Sequence, residues 1–230
     1  MTARPRQRRR PAAGNSESSV DRIRETALRI FAERGYHATS VRDITAASGV
    51  VPAALYNHFQ SKADLLQDLI LRGHDEIDKR VEAVLAAPGL APAERLARIT
   101  RELARFHAEQ TDLATLSNRE FRALPEPQLQ AIIAQRRRLR GRLEDVITDG
   151  LAEGAFRVPV IDGKPAVTLA AMSILNALVH IADWYRPGRE YSPDQVADFY
   201  AEWAAASLAQ RVPSSGSDRT TTMSSPIVSA

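Results

Sequence analysis

The chain has 230 residues, of which 44% are hydrophobic, and this is enough for a packed core in one large domain or two small ones. Its 11 glycines and 6% aromatic content argue against a sandwich or barrel of short strands, and the absence of cysteine excludes disulfides, thiolate metal sites and cysteine nucleophiles. The net charge of +3 is uneven, because residues 1–62 hold eleven basic and five acidic side chains while the remainder carries −3, which indicates a polyanion-binding head.

Residues 1–17 are predicted to be a flexible basic arm, because they combine prolines with charge and show no apolar periodicity. The arginines of this arm are Arg4, Arg6, Arg8, Arg9 and Arg10. They are either a solvated tail or a group that enters the DNA minor groove. No apolar core of a secretory signal follows them, so the sequence favours a cytoplasmic location.

The first three predicted helices are closely spaced, and the second and third are short. The first begins near Ser18, with Asp21 as a capping partner, and ends at Gly35. The second is capped by Ser40 and ends at Gly49. Pro52 suits the first turn of the third helix, which runs toward Phe59. Two short helices joined by a turn that contains glycine have the spacing of a helix-turn-helix.

The rest of the chain is predicted to be helical as well. Ser61 and Asp64 cap a long fourth helix that ends near Pro88. Apolar spacing then predicts a fifth, sixth and seventh helix, an irregular link at 158–163, and two last helices over about 165–185 and 193–210. The fold prediction is therefore all-α with about nine helices. Its parts are the arm (1–17), a helix-turn-helix domain (18–66), a larger helical domain (67–211) and a disordered tail (212–230).

The amino-acid sequence of residues 20–69 resembles the DNA-binding domain of the tetracycline-repressor (TetR) family. The matching segments are FAERGY (31–36), TSVRDI (39–44), GV (49–50) and LYNHFQSK (55–62). The resemblance implies phosphate contacts from Ser40, Arg42, Tyr56, His58 and Lys62, with Thr39 beside them in the DNA-binding surface. It implies that the bases are read by Pro52, Ala53, Ala54 and Asn57. Since Val51 and Pro52 stand where a capping hydroxyl and a polar residue are common, direct base readout is expected to be thin.

The resemblance also implies that the larger domain binds a small-molecule effector and forms a homodimer through the last two helices. The segment DWYRPG (183–188) resembles a subgroup whose effectors are coenzyme A thioesters. By that likeness the candidate effector contacts are Phe106, Leu116, Phe121, Ile133, Arg137, Met172, Leu175, Asn176, Trp184 and Arg186. Each of the apolar members is alternatively ordinary core.

Two polar groups of the larger domain have more than one interpretation. The arginine run from Arg136 to Arg142 is either a solvated helix surface or a site for a phosphate-bearing ligand. Asn176 and His180, four residues apart, belong either to the dimer interface or to the effector pocket. The apolar stretch 166–182 is too short to span a bilayer, which predicts a buried helix and no membrane partner.

With that resemblance, the sequence predicts a repressor of transcription that binds a near-palindromic duplex operator and responds to an effector, which the subgroup likeness indicates is an acyl-coenzyme A of lipid or sterol breakdown. A different hydrophobic effector, or an effector-free architectural DNA-binding protein, stays open. An enzyme of the HD-type phosphohydrolase class would use His58, His74, Asp75 and Asp112, but His74 is expected among surface charges and the spacing is unsuitable. Neither an enzyme nor a cofactor is predicted, because the sequence has no nucleophile elbow, glycine-rich phosphate loop or paired-carboxylate pattern.

Overall fold

The computed structural model describes residues 14–210, with side chains described from residue 19 onward. This part of the chain is helical apart from one small hairpin. The elements are α1 (Gly14–Arg34), α2 (Val41–Ser48), α3 (Pro52–Tyr56), α4 (Lys62–Leu85), α5 (Pro92–Glu109), α6 (Thr111–Arg119), a 3-10 turn (Phe121–Ala123), α7 (Glu126–Ala152), β1 (Val160–Ile161), β2 (Lys164–Pro165), α8 (Val167–Val179), α9 (Ile181–Trp184) and α10 (Pro193–Leu208). The all-α class is confirmed, and the predicted eighth helix is divided at His180 into α8 and α9.

The start of α1 differs from the prediction. The helix begins at Gly14, so Ser18 lies inside it and is not its cap, and residues 14–17 of the predicted arm are helical. The arginines at positions 4 to 10 and the predicted tail at 212–230 lie outside the described residues.

The predicted helix boundaries around the helix-turn-helix are confirmed by their backbone geometry. Ser40 caps α2 in a reciprocal capping box with Asp43, and Ser61 accepts a hydrogen bond from the amide of Asp64 at the start of α4. Gly49 ends α2 with φ 67°, in the left-handed region that glycine adopts without a steric penalty. The tight turn between α2 and α3 therefore follows from local sequence.

Two clusters of buried side chains divide the described chain, and α4 contributes to both. The head cluster joins α1 to α3 with the first half of α4, through residues such as Leu66 and Ile70. The body cluster begins on the same helix with Ile77 and Val81. Within the body, α5 packs against α4, α7, α8 and α10 and so forms its centre. Motion of α4 is consequently shared by both halves of the molecule.

The link between α7 and α8 is more regular than predicted. β1 and β2 form an antiparallel pair, Val160 opposite Pro165, and the connecting Asp162 and Gly163 both have positive φ. An Asp-Gly pair is the usual solution for a two-residue hairpin turn, so the signal was present in the sequence. Nearby, the Phe156 ring packs directly on Gly150 of α7, where no side chain fits.

Candidate DNA-binding surface and effector cavity

The DNA-facing candidates on and beside α3 are exposed, as a reading helix requires. Tyr56 is 53% exposed and Val51 is 67% exposed. The remaining exposed members are Pro52, Ala53, Asn57 and His58, while Ala54 is half-buried. Leu55 and Phe59 point the other way, into the head core. Apart from Tyr56 and His58, which are the expected phosphate contacts, the exposed face carries one amide and several small apolar groups, consistent with thin base readout.

The structure places the two α2 candidates at the exposed start of that helix. Arg42 is exposed in the first turn, and Ser40 is exposed at the cap. Ser40 is already engaged, because its hydroxyl donates to the Asp43 carboxylate over 2.6 Å and accepts from the Asp43 amide over 3.2 Å. The hydrogen bonds from Ser40 lower the pKa of Asp43, so a fixed negative charge stands beside any phosphate bound here. Arg42 is therefore the main positive group at this end of α2.

Thr39 does not occupy the surface that the resemblance implied. Its side chain is 2% exposed, and its hydroxyl donates to the carbonyl of Gly35 over 2.9 Å. The loop before α2 folds back on the end of α1, and this buries the residue between the two helices. The Thr39 hydroxyl is therefore engaged within the protein, and a part for Thr39 in DNA binding stays a prediction.

Lys62 has a structural role that the sequence did not reveal. Its ammonium donates to the carbonyls of Tyr36 (2.8 Å) and Thr39 (2.7 Å) and lies 4.1 Å from the centre of the Tyr36 ring. Burial lowers the pKa of Lys62. Two of the three ammonium donors hold the loop before α2, which leaves one for a phosphate.

The body contains a cavity of about 670 Å³ between α4, α5, α6, α7 and α8. Its size is that of a small-molecule site. The predicted effector contacts that line it are Phe106, Phe121, Ile133, Arg137, Met172, Leu175 and Asn176. Asn176 thus faces the cavity, whereas His180 is exposed and pairs with Asp183.

Three predicted effector contacts do not line the cavity. Leu116 is 1% exposed and packs in the head cluster, because its side of α6 faces the DNA-binding domain. Trp184 is 49% exposed beyond the end of α9. Arg186 donates to the carbonyl of Tyr185 over 2.7 Å in the loop that follows. For Leu116 the reason is that periodicity does not show on which side of a helix a neighbouring domain packs. Trp184 and Arg186 came from the likeness of their segment to a subgroup of the family, and their contact with an effector stays a prediction.

Four arginines line the cavity, and only one of them was a predicted contact. Arg122 and Arg137 are exposed, while Arg136 and Arg140 are half-buried. Arg136 donates to the carbonyl of Ser117 over 2.6 Å and lies 4.1 Å from the centre of the Phe121 ring. Burial lowers its pKa to about 10, and the charge of Arg122 adds to the effect. Arg140 forms an ion pair with Glu144 over 3.2 Å, so the positive charge of the wall at neutral pH comes from Arg122, Arg136 and Arg137, an arrangement suited to phosphate groups.

The arginine run of α7 does not act as one surface. Arg142 forms ion pairs with Asp78 (2.9 Å) and Glu82 (2.7 Å) of α4 and so ties two helices together. Arg138 is exposed and lies outside the cavity lining. The run therefore divides between solvent, a helix-helix contact and the cavity, because successive residues are about 100° apart around a helix.

Two buried histidines in the cavity wall were missed as binding residues. His74 is 9% exposed and His107 is 6% exposed, and both line the cavity. His74 was expected on the surface, but the helix face that it shares with Ile70, Ile77 and Val81 is the buried one. That helical spacing was a signal available from the sequence. Among residues 14–210, no group of three His, Cys, Asp or Glu side chains is placed to hold a metal ion.

The end of α6 and the 3-10 turn join the cavity to the head. Ser117, Asn118 and Phe121 line the cavity. Glu120, in the same segment, accepts a hydrogen bond from the Tyr36 amide over 3.3 Å. The Lys62 ammonium holds the carbonyl of that same Tyr36. A shift of this segment would consequently reach the loop that orients α2.

α8 and α10 each carry exposed apolar side chains. The large ones are Leu169 (55% exposed), Met172 (40%), Phe199 (63%) and Trp203 (39%). By length and composition the stretch Val167–Trp184 is apolar enough to cross a membrane, and only 28% of it is buried within the chain. The prediction of a buried helix therefore fails for the single chain, because much of this surface has no cover from residues 14–210.

Comparison with known proteins matches both halves of the chain. The family model described as bacterial regulatory proteins, tetR family, matches residues 23–69, and the one described as tetracyclin repressor-like, C-terminal domain, matches residues 89–208. The HTH-type transcriptional repressor KstR2 of Mycobacterium tuberculosis is 30% identical over 191 residues, which cover 82% of this chain and 92% of KstR2.

Solved structures show the same relationship. The ketosteroid transcriptional regulator KstR2 of Mycobacterium tuberculosis has a TM-score of 0.74 at 26% identity, over 87% of this chain and 98% of that one. AibR, solved in complex with isovaleryl coenzyme A and operator DNA, has a TM-score of 0.70 at 26% identity, over 80% and 97%. Relatives and neighbours alike are named as regulators of transcription.

Proposed function

This chain belongs to the TetR family of DNA-binding transcriptional regulators, and on that premise we propose that it is a cytoplasmic repressor released from its operator by a coenzyme A thioester. The observation that carries the proposal is the cavity of about 670 Å³, walled by four arginines and bounded by the two helices, α4 and α6, that also contact the head. An apolar wall beside a positive one suits an acyl chain joined to a phosphate-rich carrier.

At the DNA, the exposed groups divide into two kinds of contact. Arg42, Tyr56 and His58 bind phosphates, with Ser40 and one donor of Lys62 beside them. Asn57 hydrogen-bonds a base edge, and Pro52, Ala53 and Ala54 touch bases through apolar contacts such as thymine methyl groups. The arginines of the N-terminal arm add affinity through the minor groove of flanking A·T-rich DNA.

The functional form is a homodimer in which α8 and α10 meet their symmetry mates. The exposed apolar side chains Leu169, Phe199 and Trp203 support this interface, since a second copy would remove them from water. Two recognition helices related by a two-fold axis would contact successive major grooves about 34–36 Å apart, which makes the operator a near-palindrome.

Coupling between the sites follows from shared helices. Ligand atoms beside Ser117 and Phe121 would move the end of α6, and with it the contact from Glu120 to the head. Ligand atoms beside His74 and Ile77 would act on α4, whose first half belongs to the head core. Both shifts change the separation of the recognition helices, which lowers operator affinity through a coupling free energy.

A thermal-shift screen tests the effector class. Purified protein is incubated with coenzyme A, with short, long and ring-containing acyl thioesters, and with the matching free acids at fixed salt. A rise in melting temperature with thioesters alone is expected, because ligand at 100 times its dissociation constant adds about 2.7 kcal/mol of stability. A shift with free acids alone would assign another hydrophobic effector, and no shift with any compound would favour an effector-free DNA-binding protein.

A further inference from the structure

We propose that His74 and His107 form a site for an uncharged oxygen atom, so that the effector's acyl group carries a carbonyl or hydroxyl oxygen and is not a plain hydrocarbon. This inference rests on the proposed function, because it assigns the acyl end of the same ligand. The histidines would select the acyl group of the ligand, whereas the arginines would bind its phosphate groups.

The first support is the placement of the two rings. His74 on α4 and His107 on α5 both line the cavity, among apolar neighbours that include Ile77, Leu103 and Phe106. The edge of the His107 ring meets the Phe106 ring, with 5.7 Å between centroids. Polar side chains in such surroundings are normally paired.

The second support is that these rings are not fully paired. His74 Nε2 and His107 Nδ1 have no surface open to the cavity and no hydrogen-bond partner among the described residues, so a ligand can reach each ring only through its other nitrogen, which has no partner among those residues either. A buried polar atom without a partner costs free energy, so a ligand atom that pairs with the ring gains an interaction that a hydrocarbon cannot make. The neighbouring Asn118, in contrast, already donates to the carbonyl of Val179 and accepts from Arg136.

The third support is charge. Burial lowers the pKa of both histidines to about 4, and the positive charge of Arg136 acts in the same direction. Near pH 7 each ring is neutral and offers one donor and one acceptor. A neutral ring binds a carbonyl or hydroxyl oxygen without the cost of burying a carboxylate or phosphate beside it. The two histidines are therefore specificity-determining residues for an oxygen function.

Matched thioester pairs test the inference. The probes are cyclohexylpropanoyl-coenzyme A with its 4-oxocyclohexyl counterpart, and octanoyl-coenzyme A with 7-oxo- and 8-hydroxyoctanoyl-coenzyme A, measured by isothermal titration. At least one oxygenated thioester is expected to bind about tenfold or more tightly than its oxygen-free partner. The variants His74→Phe and His107→Phe should reduce this preference to about threefold or less without weakening the oxygen-free partner to the same extent.

Three further variants separate recognition from packing. His74→Asn and His107→Gln keep an amide near the nitrogen that a ligand can reach and should retain part of the preference. Thr100→Val is the matched control, because the Thr100 hydroxyl is also buried and unpaired among the described residues but does not line the cavity. The melting temperature of the unliganded His74→Phe variant should not fall, because the buried, unpaired nitrogen of His74 lowers the stability of the folded protein.

The outcomes distinguish this inference from the proposed function. Binding of no thioester would overturn the effector class and this inference with it. Equal binding within every pair would overturn the inference alone and leave the thioester class intact. A preference that survives in both phenylalanine variants would assign the oxygen to other groups and would also overturn it.

Discussion

The head and the body of this regulator build their sites in opposite ways. In the head, the candidate contacts come from one short stretch, residues 40–62, and most are exposed. In the body, the cavity is assembled from five helices, and its distinctive polar groups, His74, His107 and Arg136, are largely buried. A site made of neighbours in sequence can be recognised from its motif, whereas a site made of distant residues depends on how helices pack.

Acid sensitivity should arise mainly in the body, and this is the largest expected effect. The pKa of His74 and of His107 is lowered to about 4 in the fold, so the folded protein favours the neutral rings. Above about pH 6.5, the pKa of a histidine in the unfolded chain, protonation does not lower the free energy of unfolding. As the pH falls from there through about 4, the unfolded chain binds protons that the folded protein does not, and the free energy of unfolding falls. The loss is on the order of 3 kcal/mol per histidine.

Urea unfolding at pH 7 and pH 5 measures about half of this loss, because the folded pKa of about 4 lies below the lower of the two pH values. The double variant His74→Phe/His107→Phe should lose less unfolding free energy between the two pH values than the wild type does. An identical loss in both proteins would show that the acid sensitivity lies elsewhere.

Packing of the body should be far more sensitive at one glycine of α7 than at another. A methyl group at Gly150 would collide with the Phe156 ring, whereas one at Gly141 meets nothing within 4 Å. Gly150→Ala is expected to lower the free energy of unfolding by about 1–3 kcal/mol. Gly141→Ala, the matched control in the same helix, should be neutral or stabilising by up to about 1 kcal/mol. Equal effects in urea unfolding would contradict the packing of Phe156 on α7.

Within the head, substitutions of Lys62 and Asn57 should weaken DNA binding in different ways. Lys62→Ala removes both a phosphate contact and the anchor of the loop before α2, so it should weaken binding to all DNA sequences by about 1–3 kcal/mol. Asn57→Ala should cost a similar amount only on DNA with the preferred base, and so relax the preference at one position. Binding selections with each variant measure both effects, and an equal loss of base preference in the two would contradict these roles.

The smallest effect concerns neighbouring arginines of α7. Arg137 lines the cavity and Arg138 does not, although both are exposed. Arg137→Ala should weaken thioester binding by about 0.5–1 kcal/mol, because an exposed charge contact is screened by water and salt. Arg138→Ala is the control and should leave the dissociation constant unchanged in titration calorimetry. Matching losses would indicate general attraction to a positive surface.

The sequence predicted most of the fold because its signals are local. The capping residues Ser40 and Ser61 and the stop at Gly49 marked helix ends where the structure has them. The face of α3 was also predictable, since Leu55 and Phe59 share one side of a helical turn and Asn57 the other.

What escaped prediction depends on contacts between distant segments. Thr39 is buried and the Lys62 ammonium binds a backbone carbonyl because the loop before α2 folds back onto the end of α1. Leu116 was assigned to the cavity because its periodicity did not reveal that α6 also packs on the head. His74 was assigned to the surface on the charges beside it, although its helical register with Ile70 and Ile77 indicated burial.

Occupation of the cavity and binding of DNA should be coupled. Fluorescence anisotropy measures this coupling, with a labelled operator recovered by selection from random duplexes and titrated with protein, with and without a saturating thioester that raises the melting temperature. The thioester is expected to lower operator affinity by about 5- to 150-fold. Unchanged affinity at a thioester concentration that stabilises the protein would show that the ligand binds without controlling DNA binding, and the proposed release from the operator would then be wrong.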